Sequence, residues 1–246
     1  MAAIALITYN VAETAATKTK AAFEAKGHTV TLVVEGDIGT HDFSGYDCAA
    51  AVQCTPSPAV ANALRALVDG GLPMFVGSVP YGAGFIPELM NLTGAMSADF
   101  QYGFGTWTIN ITNGLHDITS PFGTVELNIS DNTQYWVCVA SGEPYAGTVL
   151  AVGTDRGGGT TDLTGLVDTL AISQGTMDLA GIPVAIGAKV VVSGALFGGT
   201  SVAWNYVSTA LDFFDSVIAW LTAAAPIPGT GEALKSRLSL ALGLGL

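Results

Sequence analysis

Charge is what this sequence has least of. Only 11% of its 246 residues are Asp, Glu, Lys or Arg, against roughly 25% in ordinary soluble domains. Half of the chain is hydrophobic, so low charge is not joined to the low hydrophobicity of disordered chains, and a folded domain is expected. Positive charge is scarcer still. Eight Lys and Arg face twenty Asp and Glu, a net charge of −12, and between His28 and Ala188 the only permanent cations are Arg65 and Arg156. No phosphate-neutralising stripe can be assembled from these, which argues against nucleic acid as a partner. Long apolar runs are missing too. None reaches the roughly 18–20 uninterrupted residues that span a bilayer, so no membrane span is expected. The opening Met1–Ile7 lacks a basic n-region and runs straight into a strand pattern, as a signal peptide would not. Cytoplasmic synthesis follows as the expectation. Cysteine is sparse: Cys48, Cys54 and Cys138 are odd in number, and the first two sit in or beside an apolar segment. Buried free thiols are expected rather than a disulfide.

What the sequence has in quantity is short apolar runs, Gly and Ala. Ala2–Tyr9 reads as a buried parallel strand. Thr14–Lys26 carries helical spacing and Gly27 stops it. Thr29–Val34 is β-branched and strand-like, and Tyr46–Gln53 is a third apolar run. Ser57 and Pro58 read as N-cap and first helical residue of a helix through Val68 that ends at Asp69-Gly70-Gly71. Pro73–Gly77 is a fourth strand. This alternation predicts an α/β domain, a mainly parallel sheet flanked by helices in a three-layer flavodoxin-like sandwich.

From Phe100 to about Ala151 the pattern alternates instead, with Trp107, Ile109 and Ile111, then Val125, Leu127 and Ile129, then Tyr135, Val137 and Val139. Turn signals at Asn113-Gly114, Ser130-Asp131-Asn132 and Ser141-Gly142 separate the pieces, which predicts an antiparallel β insertion over about 100–147. Thr148–Val152 is another strand, a short helix is expected around Leu163–Ala171, and Val184–Ser193 is the last strand, broken by Gly187. Thr200 or Ser201 caps a final helix with Val202, Tyr206, Leu211, Phe214, Val217, Ile218 and Leu221 as its stripe. The expected domain is therefore 1–225. Residues 226–246 form a Pro/Gly linker and an arm with Leu234, Leu238, Leu242 and Leu244.

Chemistry-bearing patterns are few. His28, His41 and His116 are the only histidines, and the pairs His41-Asp42 and His116-Asp117 place neighbours on different sides of the backbone, so no metal face is expected. Thr154–Thr161 is Gly-rich but has no P-loop lysine, and Tyr81-Gly82-Ala83-Gly84 lacks the dinucleotide spacing. No cofactor is expected. The aromatic clusters, Phe100 to Trp107 and Trp204 to Phe214 among them, are expected to serve core and interface packing.

The order of elements resembles the class I glutamine amidotransferase-like fold, including its ThuA-type branch. The likeness is carried by the opening strand Ile4–Tyr9, Tyr46-Asp47 before strand three, and Gly70-Gly71-Leu72-Pro73 before strand four. It extends to the Gly77–Gly82 turn, the "H-P-I-T"-like His116-Asp117-Ile118-Thr119, and the final strand Lys189–Ser193 with its long helix. It implies that fold over about 2–222. Family enzymes carry a G-x-C-x-G nucleophile elbow after strand four, where this chain reads Gly77-Ser78-Val79-Pro80, and Pro80 replaces a permissive glycine. Their His-x-Glu after the last strand is here Ser193-Gly194-Ala195-Leu196. Their Gly-Gly oxyanion loop after strand three is Cys54-Thr55-Pro56-Ser57. The resemblance therefore implies a shared fold without the shared reaction. Were the chain an enzyme, Ser78 would be its nucleophile, with His116 or another acid assisting.

A chain this poor in charge would expose much uncharged surface as a monomer, and permanent interfaces are depleted in charge. Other protein subunits are thus the expected partners, with self-association through the arm by burial of Leu234, Leu238, Leu242 and Leu244, at about 1.5–3 kcal/mol each. The Ala/Gly/Thr-rich composition resembles that of a virion structural component, such as a phage head or tail protein. The function expected is non-catalytic assembly, with incorporation in a virion as its instance, and the alternative is a hydrolase or amidotransferase-like enzyme using Ser78.

Overall fold

The computed structural model of the chain describes residues 1–12, 14–77, 86–90, 92, 100–139, 147–154, 164–165, 167–174, 186–193 and 208–223. For 14–15, 87–88, 100–107 and 128–139 it describes the backbone path.

Short apolar runs bounded by turn residues become the parallel half of one sheet. The strands are β1 (Ala3–Thr8), β2 (Thr29–Val34), β3 (Cys48–Ala51), β4 (Met74–Gly77) and, from the far end of the chain, β9 (Val190–Ser193). They lie in the order β2-β1-β3-β4-β9, all parallel. Every residue of β3, β4 and β9 is buried, which is why these segments read as continuous rather than alternating runs. The two faces of the sheet carry separate cores. Ile4, Leu6, Phe75 and Val191 pack under α1 (Thr14–Ala25) and α4 (Ser208–Thr222), and Ile7, Met74, Val76 and Val192 pack under α2 (Pro58–Asp69) and the short α3 (Ile86–Leu89). The result is the expected three-layer α/β sandwich.

Local chemistry explains where the helices start and stop. Ser57 Oγ accepts from the Val60 amide at 3.3 Å with Pro58 next to it, capping α2, whose Ala61, Leu64 and Val68 fall on one buried stripe. Gly27 follows α1 at φ +84°, a left-handed conformation that glycine adopts without strain. On α4 the buried stripe is Ala210, Phe213, Phe214, Val217, Ile218 and Leu221. The expected cap at Thr200 or Ser201, with Val202 and Tyr206, lies outside the described residues.

The other half of the sheet is antiparallel: β5 (Phe100–Ile111), β6 (Glu126–Val139), β7 (Thr148–Gly153) and β8 (Val167–Ile172), with β8 joined to β9. β7 pairs with both β5 and β8. Two expectations are corrected here. Ser130-Asp131-Asn132 is no turn. It lies inside the continuous strand β6, opposite register shifts at Gly103, Gly105 and Trp107, and the extra residues are absorbed as bulges. The expected helix around Leu163–Ala171 is the strand β8, whose six residues are all buried between β9 and β7. A short apolar run looks the same by periodicity in a strand and in a buried helix, and pairing on both sides decides for the strand. Of the expected run Val184–Ser193, Val184 and Ala185 lie outside the described residues, residues 186–189 are not strand, and β9 begins at Val190. Before it, Gly187 passes so close to the end of α2 that a Cβ there would stand 2.3 Å from the Asp69 carbonyl oxygen.

Candidate functional site

In an open parallel sheet the chain runs outward from a central strand in both directions, and ligand sites form beyond the carboxyl ends where the direction reverses. Here the reversal lies between β1 and β3. Thr8 ends β1 there with its side chain buried, and its Oγ1 has no hydrogen-bond partner among the described residues. Across from it Gln53 follows β3 at φ +48°, the only non-glycine described residue at positive φ. Its carbonyl accepts from the Tyr9 amide at 3.3 Å. A side chain held in the left-handed region costs on the order of 1–2 kcal/mol, and the buried setting of Gln53 holds it there. Beyond it, Glu35 Oε2 accepts from the Thr55 amide at 2.6 Å and ties the loop after β3 to the end of β2.

The same rim continues across β4 and β9, where Gly77 is paired with Ser193. Ser193 Oγ lies 3.3 Å from Asp168 Oδ1, which also accepts from Thr169 Oγ1 at 2.5 Å. All three residues are buried. Because β8 runs antiparallel to β9 with Thr169 opposite Ser193, Asp168 stands at the carboxyl end of the parallel strands, with β9 between it and β4. This acid escapes sequence reasoning because a helix is expected in its place. The signal that marks it is a lone carboxylate inside a run of six buried residues.

Ser78 itself lies outside the described residues, and so do Leu234, Leu238, Leu242 and Leu244. His116 is described, and it is at the other end of the sheet. Its Nδ1 accepts from the Ile118 amide at 3.2 Å within a loop of turns over 112–125, and its ring packs on Trp220 at 5.3 Å between centroids. Lys189 Nζ lies 4.9 Å from the centre of the same indole and donates to the carbonyls of Trp220 at 2.8 Å and Ala223 at 2.9 Å, closing the end of α4. Lys189 immediately precedes β9, and its carbonyl accepts from the amide of Met74, the first residue of β4. Met74 and Gly77 are the two ends of β4, so about 10 Å of strand separates the His116 end from the Ser78 end. Burial depresses the pKa of His116, Asp117 opposes this, and Lys189 adds to it.

The remaining histidines hold structure together at the amino ends of the strands. His28 Nδ1 accepts from the Ala2 amide at 3.2 Å and Nε2 meets Asp215 Oδ1 at 3.1 Å. His41 Nε2 is 3.0 Å from the Tyr46 hydroxyl. Among the described residues no group of three or more His, Cys, Asp or Glu is placed to hold a metal ion. No helix among them is long and apolar enough to cross a membrane. Cys48 and Cys54 are free and buried, as expected. Desolvation raises both thiols, that of Cys48 to about 12, with the Asp47 charge adding to the rise.

No protein-family model and no curated protein matches the chain. Solved structures do. A putative GMP synthase component from Thermoplasma acidophilum superposes with a TM-score of 0.53 at 11% identity, covering 91% of this chain and 94% of that one. PurLQS from Thermotoga maritima gives 0.53 at 13% identity, over 90% and 100%. A beta-galactosidase from Rahnella sp. R3 gives 0.51 at 13% identity over 92% of this chain, but only 32% of its own length takes part. At such identities the likeness establishes the architecture and not the chemistry. The fold is that of the glutamine amidotransferase-like α/β sandwich, as the sequence resemblance implied.

Proposed function

We propose that the chain is a non-catalytic structural protein, one building block of a large homo- or hetero-oligomeric particle, made on an amidotransferase-like scaffold. The observation that carries this is the position of His116. The one histidine considered as a base for Ser78 is engaged with Trp220 at the amino end of β9, while the segment after Gly77 leaves from the carboxyl end. A serine hydroxyl without a base is a poor nucleophile. The sequence after β9, Ser193-Gly194-Ala195-Leu196, supplies neither His nor Glu. The low charge and the leucines at 234, 238, 242 and 244 support burial against other subunits, and a phage head or tail component is the instance the composition resembles.

Light scattering during size exclusion tests this. The full chain is expected to run as a large species, and the chain ending at Ala225 as a smaller one. A full chain that stays monomeric at every concentration overturns the proposal.

A second reading is favoured by one observation, the placement of Asp168 at the carboxyl end of β9, whose Ser193 pairs with Gly77. In it, Ser78 attacks an ester or amide with Asp168 as the assisting acid. It requires turnover that Ser78→Ala abolishes.

A further inference from the structure

Three turns of the chain are closed in the same way. Asn10 Oδ1 accepts from the Ala12 amide at 3.0 Å, Asp42 Oδ1 from the Ser44 amide at 2.9 Å, and Asn113 Oδ1 from the Leu115 amide at 3.2 Å. Each is an Asx turn, in which a side-chain acceptor holds the amide two residues on. A fourth turn repeats this spacing with a different side chain: His116 Nδ1 accepts from the Ile118 amide at 3.2 Å. Because an amide only donates, Nδ1 carries no proton, and the ring is the neutral form protonated at Nε2. The acceptors differ in when they are lost. An asparagine oxygen does not titrate, and the Ser44 amide holds the Asp42 carboxyl below its ordinary 3.8. An imidazole takes up a proton on mild acidification, and the imidazolium has two donors and no acceptor.

His116 is also where the loop over 112–125 is gathered. Its carbonyl accepts from the Thr119 amide at 2.9 Å and the Ser120 amide at 2.7 Å, so three successive amides converge on one residue. The loop in turn covers the core beneath α4. Ile118 is fully buried there, and Phe122 meets the Phe213 ring at 6.0 Å. Two charges act on the imidazole among the described residues. Asp117, its neighbour in the loop, favours the charged ring, and Lys189, from the start of β9, opposes it together with burial. From α4 the ring meets Trp220, while the helix acids Asp212 and Asp215 are engaged with Lys26 and His28. We propose that the His116 turn is an acid-sensitive latch: protonation of the ring strips the Ile118 amide of its acceptor, sets a second cation near Lys189, and releases the 112–125 loop from α4 while the sheet stays folded. Opening uncovers the apolar surface that Ile118 and Phe122 share with α4.

Hydrogen exchange read by mass spectrometry on the full chain tests this, in steps from about pH 7.5 to about pH 4.5 with rates corrected for the intrinsic effect of pH. Peptides from 112–125 are expected to lose protection about tenfold or more on acidification, while those from β3 and β4 keep theirs. His116→Asn supplies an acceptor that does not titrate, as at Asn10 and Asn113, and is expected to hold the loop closed across the range. Asp117→Asn removes the carboxylate that favours the charged ring and should move the opening to lower pH. Unchanged protection of the wild-type loop overturns the proposal, and so does a loss of equal size in His116→Asn. Loss that spreads to β3 and β4 together with the loop overturns it as well, as does an Asp117→Asn chain that opens at the same or a higher pH.

Discussion

Gly187 shows how a single missing side chain sets a packing distance. With the Asp69 carbonyl oxygen 2.3 Å from where a Cβ would stand, and the Val68 carbonyl oxygen at 2.8 Å, the contact is backbone on both sides. Neither can rotate aside. Gly187→Ala is therefore expected to force α2 and the approach to β9 apart, at about 1–3 kcal/mol by the usual cost of overpacking, measured by urea denaturation. The buried thiols act at the same scale. Cys48 loses its proton near 12 in the folded chain and near 8.5 when unfolded. Above about pH 8.5 the unfolded chain binds fewer protons than the folded one, so stability falls as pH rises, by up to about 1.4 kcal/mol per pH unit for each such thiol. Denaturation midpoints compared between pH 8 and 10 check the sign, and Cys48→Ala should flatten the dependence. Site-resolved labelling at pH 8 should find Cys48 and Cys54 unreactive until the chain unfolds, since the thiolate is the nucleophile.

Among the elements, α4 shows how a helix end is secured without a glycine cap. Lys189 gives hydrogen bonds to two of its last carbonyls and stands over the Trp220 ring, a cation placed where the helix dipole favours one. Lys189→Met keeps the length of the side chain and removes the charge. It is expected to cost about 1–2 kcal/mol and to loosen the packing of His116 on Trp220. An NMR titration of His116 reads this: in the wild type its midpoint lies below the ordinary value of about 6.5. Loss of the neighbouring cation should move it up. A depressed histidine pKa means that the unfolded chain takes the proton first. Its contribution to stability is thus complete above about pH 6.5 and is lost as acid carries the pH down through the folded value.

Much of this is legible in the sequence and some is not, for physical reasons. The β1–α1–β2 and β3–α2–β4 units show because burial, capping and termination agree locally, as at Ser57-Pro58 and Gly27. β8 is hidden because pairing on both sides buries all six of its residues, which erases the period. β6 reads as two pieces because Ser130-Asp131-Asn132 carries turn composition that bulges absorb. At the candidate site, Ser78 and His116 read as possible partners because sequence gives no distance, and the sheet sets the histidine at the opposite end. Asp168 is concealed along with β8. The strain at Gln53 leaves no mark in composition at all.

At the scale of the whole molecule, the chain is an α/β scaffold whose carboxyl rim carries a strained Gln53 and a buried Asp168, while its described histidines serve structure elsewhere. Assembly is proposed to use the low-charge surface and the arm. Deleting residues 226–246 should reduce particle mass in light scattering while leaving the thermal unfolding midpoint of the 1–225 domain within about 2–4 °C, the shift expected from roughly 1 kcal/mol or less at this size. A large drop in the midpoint would mean that the arm is part of the domain core instead.

Central to all of this is the proposal that the rim performs no nucleophilic chemistry. Incubating the full chain with a fluorophosphonate at pH 8 and mapping adducts by mass spectrometry tests it. No adduct at Ser78 beyond that of the heat-unfolded chain is predicted. A stoichiometric adduct on Ser78 in the folded protein, absent after unfolding, would contradict it.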